Sequence, residues 1–235
     1  MNNKLRFELK YQLSIFDYLR LKNRLRCFVD LDEYSSVAPG HKYFVRSLYF
    51  DTFDYRAYFE KMTGVAHRLK LRIRTYFHSP NAPFVNVEIK TRRNEEIGKF
   101  SARVSVKEYE QFLNLKTWGD NLDPVLTEFE RLVRLRDLKP KLVVEYEREA
   151  YIAKGRRDVR ITFDHHMRYA QAAELFFESP LVFRKKDPFL VVLEIKCGNE
   201  RPAWLEQVVR AHNLRAAPNS KYTHGIEQTQ HAIFV

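Results

Sequence analysis

From His67 to Tyr76 the chain reads His-Arg-Leu-Lys-Leu-Arg-Ile-Arg-Thr-Tyr, so that Arg68, Lys70, Arg72 and Arg74 alternate with Leu69, Leu71, Ile73 and Thr75. Period-two alternation of this length is the pattern of a strand with one apolar and one wet face. The wet face carries four cations and no anion. Neighbouring charges on it stand about 7 Å apart, and at an effective dielectric near 20 each pair repels by roughly 2 kcal/mol before salt screening. Three environments accommodate that: open water, carboxylates on adjacent strands, or a polyanionic ligand.

The other strand-like stretches narrow the choice. Phe7, Leu9 and Tyr11 alternate with Arg6, Glu8 and Lys10 in a first strand over Leu5 to Tyr11. Tyr43 to Asp51 is a second, and Pro83 to Lys90 sets Glu88 and Lys90 on one side. Gly98 to Val104 aligns Lys99, Ser101 and Arg103. Lys141 to Tyr151 and Asp158 to Asp164 follow, the latter presenting Arg160, Thr162 and Asp164 together. Pro188 to Cys197 is the most apolar strand and still aligns Glu194 with Lys196.

Helices are expected between them. Ser14 with Asp17 opens one whose stripe is Ile15, Leu19, Leu21, Leu25 and Phe28, and Ser105 with Glu108 forms a capping box for another reaching about Leu115. Phe53 to Met62, Asp123 to Leu135, and a segment after Pro202 carrying Trp204, Leu205 and Val208 complete the set. Helices with apolar stripes need apolar sheet surface to cover, which leaves the charged strand faces pointing the other way. The fold class expected is α+β: a closed antiparallel β-barrel of about eight strands with a polar interior and helices packed on the outside. The run Val144-Glu145-Tyr146-Glu147-Arg148-Glu149-Ala150 resists, because three glutamates share one parity opposite Tyr146 and Arg148. The pattern favours the glutamates outward and Arg148 inward.

The 235 residues, 45% hydrophobic, suffice for a real core, and one domain over 1–235 is expected, since only 7 Gly and 9 Pro leave little for linkers. Lys plus Arg is 41 against 30 for Asp plus Glu, and the net charge of +11 points to an anionic partner. No apolar run approaches the length of a membrane span, leaving any membrane attachment to a partner. Cys27 and Cys197 have no metal-ligand spacing and make no disulfide framework, so a cytoplasmic setting is expected. Adjacent His165 and His166 point opposite ways on a strand and do not form a metal pair. Ser47 and Asp51 have no His at a suggestive spacing, so nucleophilic catalysis has no support. Tyr43, Tyr49 and Tyr76 read as wall packing. Oligomeric state is not set by any pattern.

Eight segments then occur in a recognisable order. They are Arg6-Phe7-Glu8-Leu9-Lys10-Tyr11, Ser47-Leu48-Tyr49-Phe50-Asp51, Lys70 to Tyr76, Glu88-Ile89-Lys90, Tyr146 to Tyr151, Val159 to Asp164, Leu193-Glu194-Ile195-Lys196 and Ser220-Lys221-Tyr222. From Arg6 to Gly225 the series resembles the catalytic domain of the vacuolar transporter chaperone family, within the CYTH-like triphosphate tunnel metalloenzyme superfamily. The resemblance implies a β-tunnel lined with Lys and Arg that binds triphosphate or polyphosphate together with Mn²⁺ or Mg²⁺. It implies a phosphotransferase moving the terminal phosphoryl of ATP to a growing inorganic polyphosphate chain.

Matching positions assign Lys10, Arg72, Arg74, Arg148 and Lys221 to the catalytic set, and Lys90, Lys99 and Arg160 to phosphate binding. Arg6, Lys70, Arg103, Lys196 and Ser220 are added to the phosphate-binding set. Glu194 matches the family's metal-binding glutamate, with Glu8 and Glu88 as further carboxylates for the metal. Two departures bear on this. Arg6 stands where the superfamily's hydrolases and cyclases carry the first Glu of Glu-x-Glu-x-Lys, which argues against the rival reading of a triphosphate or polyphosphate hydrolase. Eukaryotic members also attach an inositol-phosphate-sensing domain and a membrane anchor, which these residues lack, so coupling to export is not expected to carry over. A non-catalytic polyphosphate-binding module remains a second rival, and it would not need Glu194. Nucleic acid is not an expected partner, because a tunnel is too narrow for a duplex.

Overall fold

The computed structural model describes residues 7–78, 81–94, 96–185, 187–198 and 200–230. Leu5 and Arg6, at the start of the first expected strand, lie outside them, so the phosphate-binding role expected of Arg6 is not placed. In chain order the elements are β1 (Phe7–Ser14), α1 (Ile15–Leu25), β2 (Val29–Leu31), α2 (Glu33–Val37), β3 (Tyr43–Asp51), α3 (Arg56–Met62), β4 (His67–Thr75), β5 (Val85–Arg93) and β6 (Glu96–Val104). There follow α4 (Val106–Leu115), α5 (Pro124–Leu135), β7 (Lys139–Ala153), β8 (Arg156–Gln171), β9 (Arg184–Lys185), β10 (Leu190–Cys197), α6 (Ala203–Ala211) and α7 (Lys221–Thr229).

The strands form one sheet in the order β1-β10-β8-β7-β3-β4-β5-β6, with β2 on β7 and β9 on β8. The pairs β1–β10, β10–β8, β2–β7, β3–β4, β4–β5 and β5–β6 are all antiparallel. The ends of this order, β1 and β6, are not joined, so the expected closed barrel is corrected to an open path of strands. Alternation dictates which face a side chain takes; closure also needs tilt and shear, which alternation leaves open.

The chain divides into two compact units that interleave in sequence. The first comprises Met1–Phe44, Tyr146–Met167 and Lys185–Ser220; the second comprises Val45–Glu145, Arg168–Arg184 and Lys221–Val235. In the first, Tyr11, Ile161, Phe163, Leu193 and Ile195 of the sheet pack with Tyr18, Leu21 and Leu25 of α1 and Leu205 and Val208 of α6. The α1 stripe thus runs through Tyr18, not the expected Leu19, which is exposed. Ser14 caps α1 as expected, accepting from the Asp17 N–H at 3.1 Å.

In the second unit Leu48, Leu71, Ile73, Val87 and Ile89 pack against Tyr109 and Phe112 of α4 and Leu126 and Phe129 of α5. Burial of each such side chain is worth about 1.5–3 kcal/mol, which ties the helices to the apolar strand faces. The Ser105–Glu108 capping box closes in both directions, at 3.2 Å and 2.7 Å. In each unit the helices therefore cover the Leu/Ile/Val side of the strands, as the stripes required.

The resistant run on β7 resolves in an unexpected way. Arg148 does lie opposite the glutamates, but Glu145 and Glu149 are buried instead of solvated. Glu145 receives Arg46 Nε and Arg168 Nε, each at 2.5 Å. Glu149 receives Lys22 Nζ and the Tyr18 hydroxyl at 2.6 Å, and also the Tyr151 hydroxyl. Burial would raise the Glu149 carboxyl; hydrogen bonds from His165, Lys22, Tyr151 and Tyr18 outweigh it and bring it down to about 2. Only Glu147 of the three reaches the surface, where His166 Nδ1 lies 3.0 Å away. His166 itself has φ +50°, an unusual value inside a strand.

Candidate functional site

On the face of β3, β4, β5 and β6 opposite the helix-covered one, the registers set side chains in three rows. Ser47, Arg74, Asn86 and Arg103 form one; Tyr49, Arg72, Glu88 and Ser101 the next; Lys70, Lys90 and Lys99 the third. Six cations share this lattice with one carboxylate. Glu88, 3% exposed, accepts Arg72 Nη2 at 2.5 Å and Nε at 2.7 Å, and lies 3.1 Å from Lys99 Nζ. Burial would raise its carboxyl, but Arg72, Arg74 and Lys99 together hold it well below the usual carboxylate range. Arg72 Nη1 donates to the Tyr49 hydroxyl at 3.1 Å, and Arg74 Nε to Ser47 Oγ at 3.0 Å. Arg103 sits over the Phe84 ring at 4.4 Å.

Helix α7 brings Lys221 to the same unit. It approaches closely because position 225 is glycine: a Cβ there would fall 2.3 Å from Leu142 Cδ2 and 2.8 Å from Tyr169 Cδ1. The following residue, Tyr222, packs against Tyr49 with the rings tilted by 32° and centroids 5.3 Å apart, and lies under Lys70 Nζ at 5.5 Å. Its hydroxyl donates to the buried Asp51 at 2.5 Å. Asp51 also accepts the Ala57 N–H at 2.9 Å, so one carboxylate holds the first turn of α3 and the first turn of α7.

In the first unit, β1, β10 and β8 also align rows: Glu8, Lys196 and Arg160; Lys10, Glu194 and Thr162; Gln12, Val192 and Asp164. Here each candidate cation has its own carboxylate. Lys10 Nζ is 2.8 Å from Glu8, Lys196 Nζ 2.7 Å from Glu194, Arg148 Nε 2.7 Å from Asp164, and Arg160 Nη2 2.6 Å from Asp32. The Arg148–Asp164 contact is a two-pronged fork, its second bond 2.9 Å long. Burial would depress the Arg148 guanidinium, but Asp164, Tyr146 and Glu194 raise it well above its ordinary value. Lys10 Nζ also donates to the Asn219 carbonyl at 3.3 Å. The Thr162 hydroxyl, beside Glu194 in its row, is buried and has no hydrogen-bond partner among the described residues.

The residues singled out in the sequence therefore divide. Lys10, Arg148, Arg160, Lys196, Glu8, Glu194 and Ser220 fall in the first unit; Lys70, Arg72, Arg74, Lys90, Lys99, Arg103, Glu88 and Lys221 fall in the second. Sequence reasoning passed over Asp32, Asp51, Asp164 and Tyr222 as partners of these groups. Asp51 and Tyr222 both lie inside quoted motifs, but their contact spans 171 positions and leaves no local signal.

A family model described as the VTC domain matches residues 5–230. The chain belongs to the VTC domain family. The resemblance read from the ordered motifs is thereby borne out. The vacuolar transporter chaperone complex subunit 4 of Schizosaccharomyces pombe is 22% identical over 225 residues, covering 77% of this chain and 31% of the relative. The VTC domain described here thus spans about a third of that protein's length. Among solved structures, a Bacillus halodurans protein provisionally named an adenylate cyclase superposes with a TM-score of 0.57 at 15% identity, covering 94% of this chain and 96% of that one. At that identity the likeness is one of fold.

Proposed function

We propose that this VTC domain is a metal-dependent phosphotransferase that moves the terminal phosphoryl of ATP to a growing inorganic polyphosphate chain. The observation that carries the reading is the excess of six cations over one carboxylate in three rows of one sheet face of the second unit, with Asp51 of the same strand face already engaged by Tyr222 and the Ala57 N–H. Cations two strand positions apart repel, and a chain of phosphates offsets that repulsion at several points at once. Arg72 and Arg74 present planar forks suited to phosphate oxygens, whereas Lys70, Lys90, Lys99 and Lys221 act as point charges.

Phosphoryl transfer spreads charge over equatorial oxygens in its transition state, so positioning and electrostatic stabilisation supply most of the catalysis. Arg72 is held by Glu88 and Tyr49 and Arg74 by Ser47, so both forks are oriented before substrate arrives. Lys221, at the start of α7, is the further cation of this unit that the reading assigns to the reacting phosphates. Within the first unit, Arg148, Lys10 and Arg160 are further cations suited to phosphate, although each first has to exchange a carboxylate partner for it.

For the divalent ion, no group of three or more His, Cys, Asp and Glu is gathered to hold a metal among the described residues. The hard oxygens that do fit Mn²⁺ or Mg²⁺ are the Glu194 carboxylate and the orphaned Thr162 hydroxyl paired with it across the strands. Such a donor set suits an ion that arrives with phosphate oxygens rather than one caged by protein alone. When bound, the ion would supply neutralisation of phosphate charge. Glu8 and Glu88, engaged by Lys10 and by Arg72 and Lys99, are secondary candidates.

Among the described residues no helix is long and apolar enough to cross a membrane. Incubating the purified protein with ATP and Mn²⁺ tests the proposal: chains of phosphate that lengthen with time on a gel are expected. Free phosphate without chain growth would favour the hydrolase, and tight polyphosphate binding without turnover a binding module.

A further inference from the structure

Tyr49 packs in the sheet wall, and its hydroxyl sits among the cations. Its ring belongs to the buried set of β3, and the register puts it in one row with Arg72 and Glu88. Arg72 Nη1 donates to its oxygen at 3.1 Å. A phenol carries one proton to give as well as lone pairs to accept. No acceptor for that proton is present among the described residues: the oxygen's one hydrogen bond is the bond received from Arg72.

The nearby carboxylates are occupied. Glu88 is held by Arg72 and Lys99, and Asp51 takes the proton of the neighbouring Tyr222. A hydroxyl that already accepts from a guanidinium, with its own proton unspent, is a donor waiting for an acceptor. The acceptor that the surrounding cations attract is an anionic oxygen.

We propose that Tyr49 is a substrate-contacting residue whose hydroxyl donates a hydrogen bond to a phosphate oxygen of the polyanion held by Arg72 and its neighbours. The inference rests on the phosphate-binding reading of this face. Tyr222 is then a positioning residue: its ring packs at a tilt on Tyr49, centroids 5.3 Å apart, and its hydroxyl is anchored by Asp51. The electrostatics agree. Burial would raise the Tyr49 phenol, but Arg72, Arg74 and Lys221 outweigh it and lower the phenol below its ordinary value. A more acidic phenol is a stronger donor.

The test titrates tripolyphosphate into wild type and Tyr49→Phe by calorimetry, with melting of the unliganded proteins alongside. Loss of a hydrogen bond to a charged group predicts about tenfold weaker binding or more, with the unliganded melting temperature close to wild type. Equal affinity of the two proteins overturns the contact and leaves the transferase reading untouched. Wild type that binds tripolyphosphate, with Tyr49→Phe weaker, but never extends chains from ATP and Mn²⁺ overturns the transferase reading and leaves the contact standing. Should Tyr49→Phe fold poorly, a structure of wild type with tripolyphosphate decides. A Tyr49 oxygen within about 3.0 Å of a phosphate oxygen upholds the contact, and one well beyond that distance overturns it.

Discussion

The first unit matches its four described candidate cations with four carboxylates, each pair within 2.8 Å, whereas three rows of the second set six cations around Glu88. Both faces look alike in sequence, since each alternates charged with apolar residues. Their electrostatics differ. A paired cation has already exchanged water for a carboxylate, so an incoming phosphate must compete for it. A face whose rows hold more cations than carboxylates gains from the phosphate through relief of their mutual repulsion. The contrast teaches that counting cations along a strand overstates what is available to a ligand; carboxylates on neighbouring strands have to be subtracted.

The largest effect separating the two is one of stability. Asp164 is fully buried against Arg148, so Asp164→Ala strands a charge and should destabilise the protein by about 3–5 kcal/mol in denaturant titration. Replacing both partners with apolar residues should recover much of that loss. A negligible effect of the single change would mean the pair is not neutralising as described.

Next comes ligand affinity. Arg72→Ala should weaken tripolyphosphate binding by about 10- to 100-fold, the worth of a charge-assisted hydrogen bond or two. Arg160→Ala, whose guanidinium is already taken by Asp32, should cost only a few-fold. Equal losses in parallel calorimetric titrations would break the comparison.

Smaller and opposite in sign is Glu88→Gln. Removing the lattice's one carboxylate should lower the melting temperature of the unliganded protein and strengthen tripolyphosphate binding severalfold, roughly what relief of one nearby screened charge supplies. Weaker binding in the presence of Mn²⁺ would instead place Glu88 on the metal.

The last effect is a change of slope with pH, confined to the acid limb. Glu149 titrates at about 2 in the folded protein against an ordinary 4.5. A depressed carboxyl contributes stability that is complete above about 4.5 and is lost as pH falls toward 2. Melting temperature should therefore drop across that window, and Glu149→Gln should flatten part of the drop. Glu88, shifted in the same direction, contributes to the same acid limb.

How much was readable beforehand follows from how far apart the interacting residues lie. The Ser105–Glu108 box and the Ser14 cap are contacts three residues apart, and both were legible. Helix α7 was not: it contains Thr223, His224 and Gly225, and its place depends on Leu142 and Tyr169 leaving room for a glycine. The glutamates of β7 were placed on the correct side and given the wrong surroundings, because their partners Lys22, Tyr18, Arg46 and Arg168 come from distant segments.

Which side chains share a face was decided by backbone geometry, since successive residues of a strand point to opposite sides whatever surrounds them; the cationic rows and their helix-covered backs were therefore written in the order of residues. Which carboxylate meets which cation, whether β1 and β6 join, and where α7 delivers Lys221 depended on register and packing between segments far apart in the chain. Those are settled only when the whole core assembles, because each is a balance of burial and charge that no single segment contains.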